Sequence, residues 1–360
     1  MTIKGIDHIE LYVGDARLTA YMLQHAFGFQ IRGTGGPETG LENQRSLLLN
    51  QRDVWIVVTT GLVEEHPAAV YVAQHGDGVG IVAFETTDTV EAYATAIAGR
   101  ATGYAPPTVL EAGADRVTIA TVSGFADVAH KLVQREGPRT EFLPGVISMV
   151  EPAPKSDEDL LELIDHAAVC LPYAELEPTV RFYREAFGFT EIFSEYVEVA
   201  EQGMDSRVVQ SPSGGVTFTL IQPDVSRRRG QLDDFLEWHG GAGVQHVAFR
   251  TDDIVGAVRS FAARGVAFAT TPSTYYDVLE ERLGAIDVSV AELRDVGVLV
   301  DQDHWGQMFQ IFTQSMHVRR TLFLELIERH GARTFGTSNI KALYEAKERE
   351  LAGGRQTAAL

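Results

Sequence analysis

The stretch IDHIELYV at residues 6–13, followed by a helical pattern and AFGF at 26–29, returns as IDHAAVCL at 164–171, a second helical pattern and AFGF at 186–189. The spacing from the histidine to the AFGF motif differs by two residues between the copies, which one loop change accommodates. Two further anchors follow in the same order. GVGIVAF (78–84) matches GVQHVAF (243–249), each leading through a Thr-Asp turn into a helical pattern, and DVAHKLVQREG (127–137) matches TLFLELIERHG (321–331). Three ordered anchors indicate an internal duplication, and a repeat governs every later reading of architecture.

Within each copy, short segments with period-two alternation, such as HIELYV, RSLLLNQ, VWIVVTT, GVTFTLIQ and VGVLVDQ, predict strands. TAYMLQHAF, VEAYATAIAG, TVRFYREAF and IVGAVRSFAARG carry apolar residues at helical spacing. The parse is an α+β chain of two halves, each made of two βαβββ units with one helix per unit. The first domain spans 1–137, a linker rich in Pro, Ser and acid spans 138–162, and the second domain spans 163–360. A polar cluster at Thr337, Ser338 and Asn339 starts a final helix at 338–352, ahead of a frayed RQTAAL.

A length of 360 residues suits two domains better than one core. A hydrophobic fraction of 45% beside 22% charged residues is that of a soluble globular protein, and no apolar run approaches the ~20 residues of a membrane span. The opening lacks a basic stretch followed by an apolar segment, so no secretory signal is expected. A lone cysteine, Cys170, fits a reducing compartment, and the cytoplasm is the expected location. The net charge of -20 argues against nucleic acid, because phosphate binding needs clustered Lys and Arg. The Arg227, Arg228, Arg229 run, followed by Asp233 and Asp234, is expected to be a solvated loop. A homodimer is the expected assembly, although no residue dictates it.

Aligning the copies pairs His8 with His166, Ile81 with His246 and Lys131 with Glu325. Only the second copy carries His, His and Glu. Two neutral imidazoles and one carboxylate on one face form a triad that holds Fe(II) and leaves positions open for substrate and oxygen. Singly, each residue has a plainer reading: a histidine in an apolar strand is more often packed, and Glu325 would face solvent if its strand lay at a sheet edge. Jointly, the repeat puts all three at equivalent strand positions, and a carboxylate inside TLFLELI would need a cation if buried.

GVQHVAF, QIFT (310–313), FLELIERHG (323–331) and SNIKALYEA (338–346) resemble the matching motifs of 4-hydroxyphenylpyruvate dioxygenases and their sister enzymes, the 4-hydroxymandelate synthases. The resemblance covers nearly the whole chain and is strongest from residue 164 onward. It implies the two-domain vicinal-oxygen-chelate fold, with an open barrel-like sheet in each half and a C-terminal lid helix. It implies Fe(II) held by His166, His246 and Glu325, with 4-hydroxyphenylpyruvate chelating the metal through its own 2-oxo acid and O2 as co-substrate. Ser206, Gln222, Gln310 and Asn339 are then candidate polar contacts to the substrate, and Phe312, Phe335 and Ile340 candidate walls. Gln222 reads equally well as an ordinary strand residue, the aromatics as core, and the final helix as plain packing.

In the dioxygenases the last helix generally reads GNFKALF, whereas this chain has Ile340 in place of the aromatic, as is typical of the synthases. A smaller side chain would let the ring shift and present the benzylic carbon to oxidation. The expected product is therefore 4-hydroxymandelate with CO2, homogentisate being the product if Ile340 is a neutral replacement. A non-catalytic small-molecule binding protein is the rival of another class, since fold alone does not set function. A ring-cleaving catechol dioxygenase would share the metal logic but not the SNIKALYEA helix.

Overall fold

A computed structural model describes residues 2–151, 159–199, 201–336, 338, 339, 341 and 342. The first half runs β1 (Ile3–Tyr12), α1 (Ala16–Phe27), β2 (Gln30–Gly35), β3 (Gln44–Gln51), β4 (Val54–Gly61), α2 (Pro67–His75), β5 (Gly78–Thr86), α3 (Thr89–Ala98), β6 (Gly103–Ala112), β7 (Asp115–Ser123) and β8 (Ala129–Glu136). A short β9 (Ser148–Met149) follows. The second half runs β10 (Leu163–Cys170), α4 (Leu176–Phe187), β11 (Thr190–Val199), β12 (Gln202–Gln210), β13 (Thr217–Pro223), α5 (Gln231–His239), β14 (Gly243–Arg250) and α6 (Ile254–Ala263). It closes with α7 (Leu279–Leu283), α8 (Val290–Val296), β15 (Leu299–Gln302), β16 (Gln307–Phe312) and β17 (Phe323–His330).

The duplication is explicit in the sheets. One has the order β6-β7-β8-β5-β1-β4-β3-β2-β9 and the other β11-β12-β13-β10-β14-β17-β16-β15. Each centre pairs the first strand of a half antiparallel to its fifth, β1 with β5 and β10 with β14, and the fifth parallel to the last. Local signals explain why both copies fold alike. AFGF ends a helix in each, because Gly28 (φ 80°) and Gly188 (φ 69°) adopt the left-handed cap that a side chain resists. The Thr-Asp turns start α3 and α6, where Asp88 and Asp253 accept backbone N–H bonds from Glu91 and Gly256.

The units keep the expected βαβββ order, with α1, α3, α4 and α6 as their helices, and further helices are added between units and within the fourth. The helices α2 and α5 join the units within each half, and the second half inserts a 3-10 turn (Ser273–Val278) with α7 and α8. Pro67 at the first turn of α2 and the acids Asp233 and Asp234 in the first turn of α5 are the signals for them. The strand expected over VGVLVDQ begins only at Leu299, because α8 runs to Val296 and Gly297 (φ 80°) caps it.

The segment expected to link the halves packs on the first sheet as far as it is described before residue 152. The Asp115 carboxylate accepts the backbone N–H groups of Arg139, Thr140 and Glu141 at 2.7, 2.8 and 2.9 Å. Phe142, Leu143 and Ile147 then bury themselves against Leu48, Val57, Ala83, Val117 and Val133, and Met149 pairs with Gly33. The largest apolar cluster spans both halves, with Phe27 against Phe261 and Phe29 against Phe249. Of the final helix only Ser338, Asn339, Lys341 and Ala342 are described, and Ile340 lies outside the described residues.

A buried histidine fastens the halves. His130 on β8 donates from Nδ1 to the Val82 carbonyl and accepts at Nε2 from the Tyr183 hydroxyl on α4, at 3.0 and 2.8 Å. Burial pushes its pKa down from 6.5 to about 4. Between those values the unfolded chain takes up a proton that the native chain refuses, so this contribution to stability is intact at neutral pH and is lost as pH falls through the window. Thermal melts should therefore lose stability more steeply between pH 6.5 and 4 in the native chain than in His130→Gln. Parallel losses would mean that His130 is not held neutral.

Candidate metal centre

Three neighbouring strands of the second sheet bring the predicted triad together. In the ladder, His166 on β10 lies opposite Ala248 on β14, which lies opposite Glu325 on β17. One row along, Ala168 faces His246, which faces Phe323. Residues opposite each other share a face, so His166, His246 and Glu325 all project from the same side. Ala168 and Ala248 are the small residues of this grid, which leaves the long side chains room to converge. The strand β17 lies between β14 and β16 rather than at an edge, and Glu325 is 2% exposed.

The side chains meet. Glu325 Oε2 lies 3.3 Å from His166 Nε2 and 3.3 Å from His246 Nε2. Ligands about 2.1 Å from one ion and at right angles stand about 3 Å apart, close to this spacing. The far side of each imidazole is occupied. His166 Nδ1 donates to Asp165 at 2.8 Å, and His246 Nδ1 to the Gln245 amide oxygen at 3.3 Å, so both Nε2 atoms turn inward. Asp165 is itself fixed by a two-pronged bond from Arg329, Nε to Oδ2 at 2.8 Å and Nη2 to Oδ1 at 2.7 Å.

Electrostatics follow from this enclosure. Burial by itself would raise Glu325, yet the two imidazoles bring it down to about 2. Burial would lower His166, yet Glu325 and then Asp165 carry it up to about 9, whereas at His246 burial prevails and the pKa falls. Among the described residues this is the one set of three His, Cys, Asp or Glu side chains whose donor atoms lie close enough to share an ion, all within 4.8 Å. Two nitrogen donors and one anionic oxygen, each oriented from behind and enclosed by protein, fit a divalent transition metal. Asp165→Asn should weaken metal affinity about 10–100-fold in a competitive chelator titration, since it loosens both His166 and Arg329. Unaltered affinity would show that His166 needs no such support.

The remaining predicted residues divide. Phe335 stands edge-on to His166 at 5.1 Å between ring centres, and Phe312 edge-on to His246 at 5.5 Å. Gln310 lies opposite Ile327, two residues along from Glu325 on the same face, and its buried Oε1 has no hydrogen-bond partner. Asn339 is buried, its Oδ1 accepting from Tyr275 at 2.8 Å while its Nδ2 is left unpaired. Ser206 is buried opposite Ile221, which shares its face of β13 with Thr219, the partner of Ala168, and so faces the triad's side. Gln222 does not. It sits one residue out of phase, on the other face, where it accepts from the Leu176 N–H at 3.3 Å and donates to Asp205 at 3.4 Å. Thr219, passed over in the sequence, points inward with its buried hydroxyl oxygen unpaired.

Comparison with known proteins bears on this arrangement. Residues 163–282 match the glyoxalase/bleomycin resistance protein/dioxygenase superfamily. The chain is 31% identical to the 4-hydroxyphenylpyruvate dioxygenase of Dictyostelium discoideum, over 97% of this chain and 98% of the relative. It is also 31% identical to that of Caenorhabditis elegans, over 97% and 92%. Among solved structures, a triple mutant of 4-hydroxymandelate synthase from Streptomyces coelicolor superposes with a TM-score of 0.87 at 43% identity, covering 97% of this chain and 99% of the other.

Proposed function

The chain belongs to the 4-hydroxyphenylpyruvate dioxygenase family, and from that premise we propose that it is a synthase of 4-hydroxymandelate, holding Fe(II) with His166, His246 and Glu325. The observation that carries this reading is the convergence of two imidazole nitrogens on one buried carboxylate oxygen, 3.3 Å from each. Bound iron would activate O2 and polarise the 2-oxo acid. His166, His246 and Glu325 would hold such an ion, and a set of three protein ligands would leave it able to take up the 2-oxo acid and O2.

The chain's own residues supply position and dryness. Phe312 and Phe335 flank the two histidines and exclude water from them. The unpaired Gln310 Oε1, Thr219 Oγ1 and Asn339 Nδ2 offer one acceptor, one hydroxyl and one donor to a polar aromatic acid. A buried polar atom without a partner costs about 1–3 kcal/mol, which a bound substrate would recover. In the reaction one oxygen atom enters the carboxylate formed as CO2 departs, and the other enters the benzylic C–H bond. Identity to the synthase structure, 43% against 31% for the dioxygenases named, and Ile340 in place of an aromatic support that regiochemistry over ring hydroxylation.

Aerobic turnover of 4-hydroxyphenylpyruvate with Fe(II), followed by chromatographic or NMR identification of the product, tests the proposal. Mass does not discriminate, because 4-hydroxymandelate and homogentisate are isomers. The expected product is 4-hydroxymandelate. Homogentisate would transfer the chain to the sister activity, and absence of oxygen uptake would favour a binding protein.

A further inference from the structure

The first sheet repeats the cradle of the second down to individual bonds. Asp7 receives Arg135 in two bonds, Nε to Oδ2 at 2.7 Å and Nη2 to Oδ1 at 2.8 Å, as Asp165 receives Arg329. His8 Nδ1 donates to Asp7 at 2.6 Å, as His166 does to Asp165 at 2.8 Å. Phe142 stands edge-on to His8 at 5.2 Å, as Phe335 does to His166 at 5.1 Å, and Arg135 and Arg329 lie over these two rings. The ladders superpose in register, His8–Ala83–Lys131 on His166–Ala248–Glu325 and Glu10–Ile81 on Ala168–His246.

What differs is what the cradle holds. His8 is fully buried, and its Nε2, turned inward by the bond at Nδ1, has no hydrogen-bond partner. On the same face Lys131 Nζ sits 3.0 Å from Glu10 Oε2, and Glu10 Oε1 accepts from Thr59 at 2.6 Å. An imidazole fixed from behind by a carboxylate with its lone pair directed inward is a ligand's orientation. The cation this face now contains is an ammonium.

We propose that the concave face of the first sheet is a second, dormant site for a divalent transition-metal ion, in which Lys131 takes the register position of the carboxylate ligand and its ammonium, paired with Glu10, supplies the positive charge that an ion would bring. Exchanging Ile81→His and Lys131→Glu restores a His, His, carboxylate set on a scaffold that has kept the Arg–Asp–His brace and the aromatic ring behind the first histidine. The inference concerns the first half alone and does not depend on which reaction the second half performs.

The test removes the second-half site with His166→Ala and Glu325→Ala and follows anaerobic Co(II) uptake by metal analysis and ligand-field absorption. This background should bind no Co(II), addition of Ile81→His and Lys131→Glu should bring uptake to one ion per chain, and further addition of His8→Ala should abolish it. A chain that keeps its near-UV circular dichroism but takes up no Co(II) after the double exchange overturns the proposal, as does uptake that survives His8→Ala. Should the double exchange prevent folding, Lys131→Met in the native chain decides. It should lower the melting midpoint by several degrees by stranding Glu10, with Glu10→Gln restoring most of the loss, and an unchanged midpoint overturns the ammonium's assigned role.

Discussion

Replacing Glu325 with Ala is expected to abolish iron retention and lower oxygen uptake with 4-hydroxyphenylpyruvate by about three orders of magnitude or more, the loss of several kcal/mol of metal-dependent stabilisation. The carboxylate is the one anion among the three proposed ligands, and without it two neutral imidazoles remain in a buried setting. Stability should respond differently from activity. In chelator, Glu325 and His166 stabilise each other, since Glu325 is depressed to about 2 and His166 raised to about 9. The depressed carboxylate contributes fully above its unfolded value near 4.5 and loses its contribution as pH falls through 2. The raised imidazole contributes fully below 6.5 and loses its contribution as pH rises through 9. Metal-free native chain should therefore melt at progressively lower temperature as pH rises from 6.5 to 9, and Glu325→Ala, which leaves only Asp165 to raise His166, should show a shallower slope. An equal slope in both proteins would mean that His166 and Glu325 are not coupled.

Ile340→Phe should shift product from 4-hydroxymandelate toward homogentisate by about tenfold in ratio, because a change of 1.4 kcal/mol between two competing barriers suffices and a displacement of ~1 Å supplies it. The motif comparison places an aromatic here in the ring-hydroxylating enzymes, and the larger side chain would return the ring to their position. The adjoining residues give this part of the chain firm attachments. Asn339 accepts from Tyr275 and Arg282, Ser338 donates to Asp301, and Gly336 packs so close to Gln310 that a Cβ there would lie 2.1 Å from its Nε2. Liquid chromatography of the two isomers reads the ratio directly, and an unchanged ratio would remove Ile340 from the explanation of regiochemistry.

Much of this was legible in the sequence because duplication wrote it twice. The pairings of Ile81 with His246 and Lys131 with Glu325 come from aligned motifs, and the ladders place each pair at the same register. The Asp–Arg brace was equally available, since Asp7 and Asp165 precede the histidines and Arg135 and Arg329 follow four residues after Lys131 and Glu325. A bidentate contact between strands distant in sequence leaves no local pattern that marks it. Gln222 was misplaced by strand parity: a polar residue in an apolar strand marks neither face, and only the pairing of Ala168 with Thr219 shows which one turns inward. The packing of residues 139–149 on the first sheet was hidden by a loop-like composition, although Phe142, Leu143 and Ile147 are apolar anchors of the kind that cover a concave face.

Iron content per chain after anaerobic reconstitution with Fe(II) and removal of excess metal bears most directly on the claim that His166, His246 and Glu325 hold a single ion. One iron per native chain, and none in chains carrying His166→Ala or Glu325→Ala that keep their native circular dichroism, is the predicted result. Full retention of iron by those folded variants would contradict it.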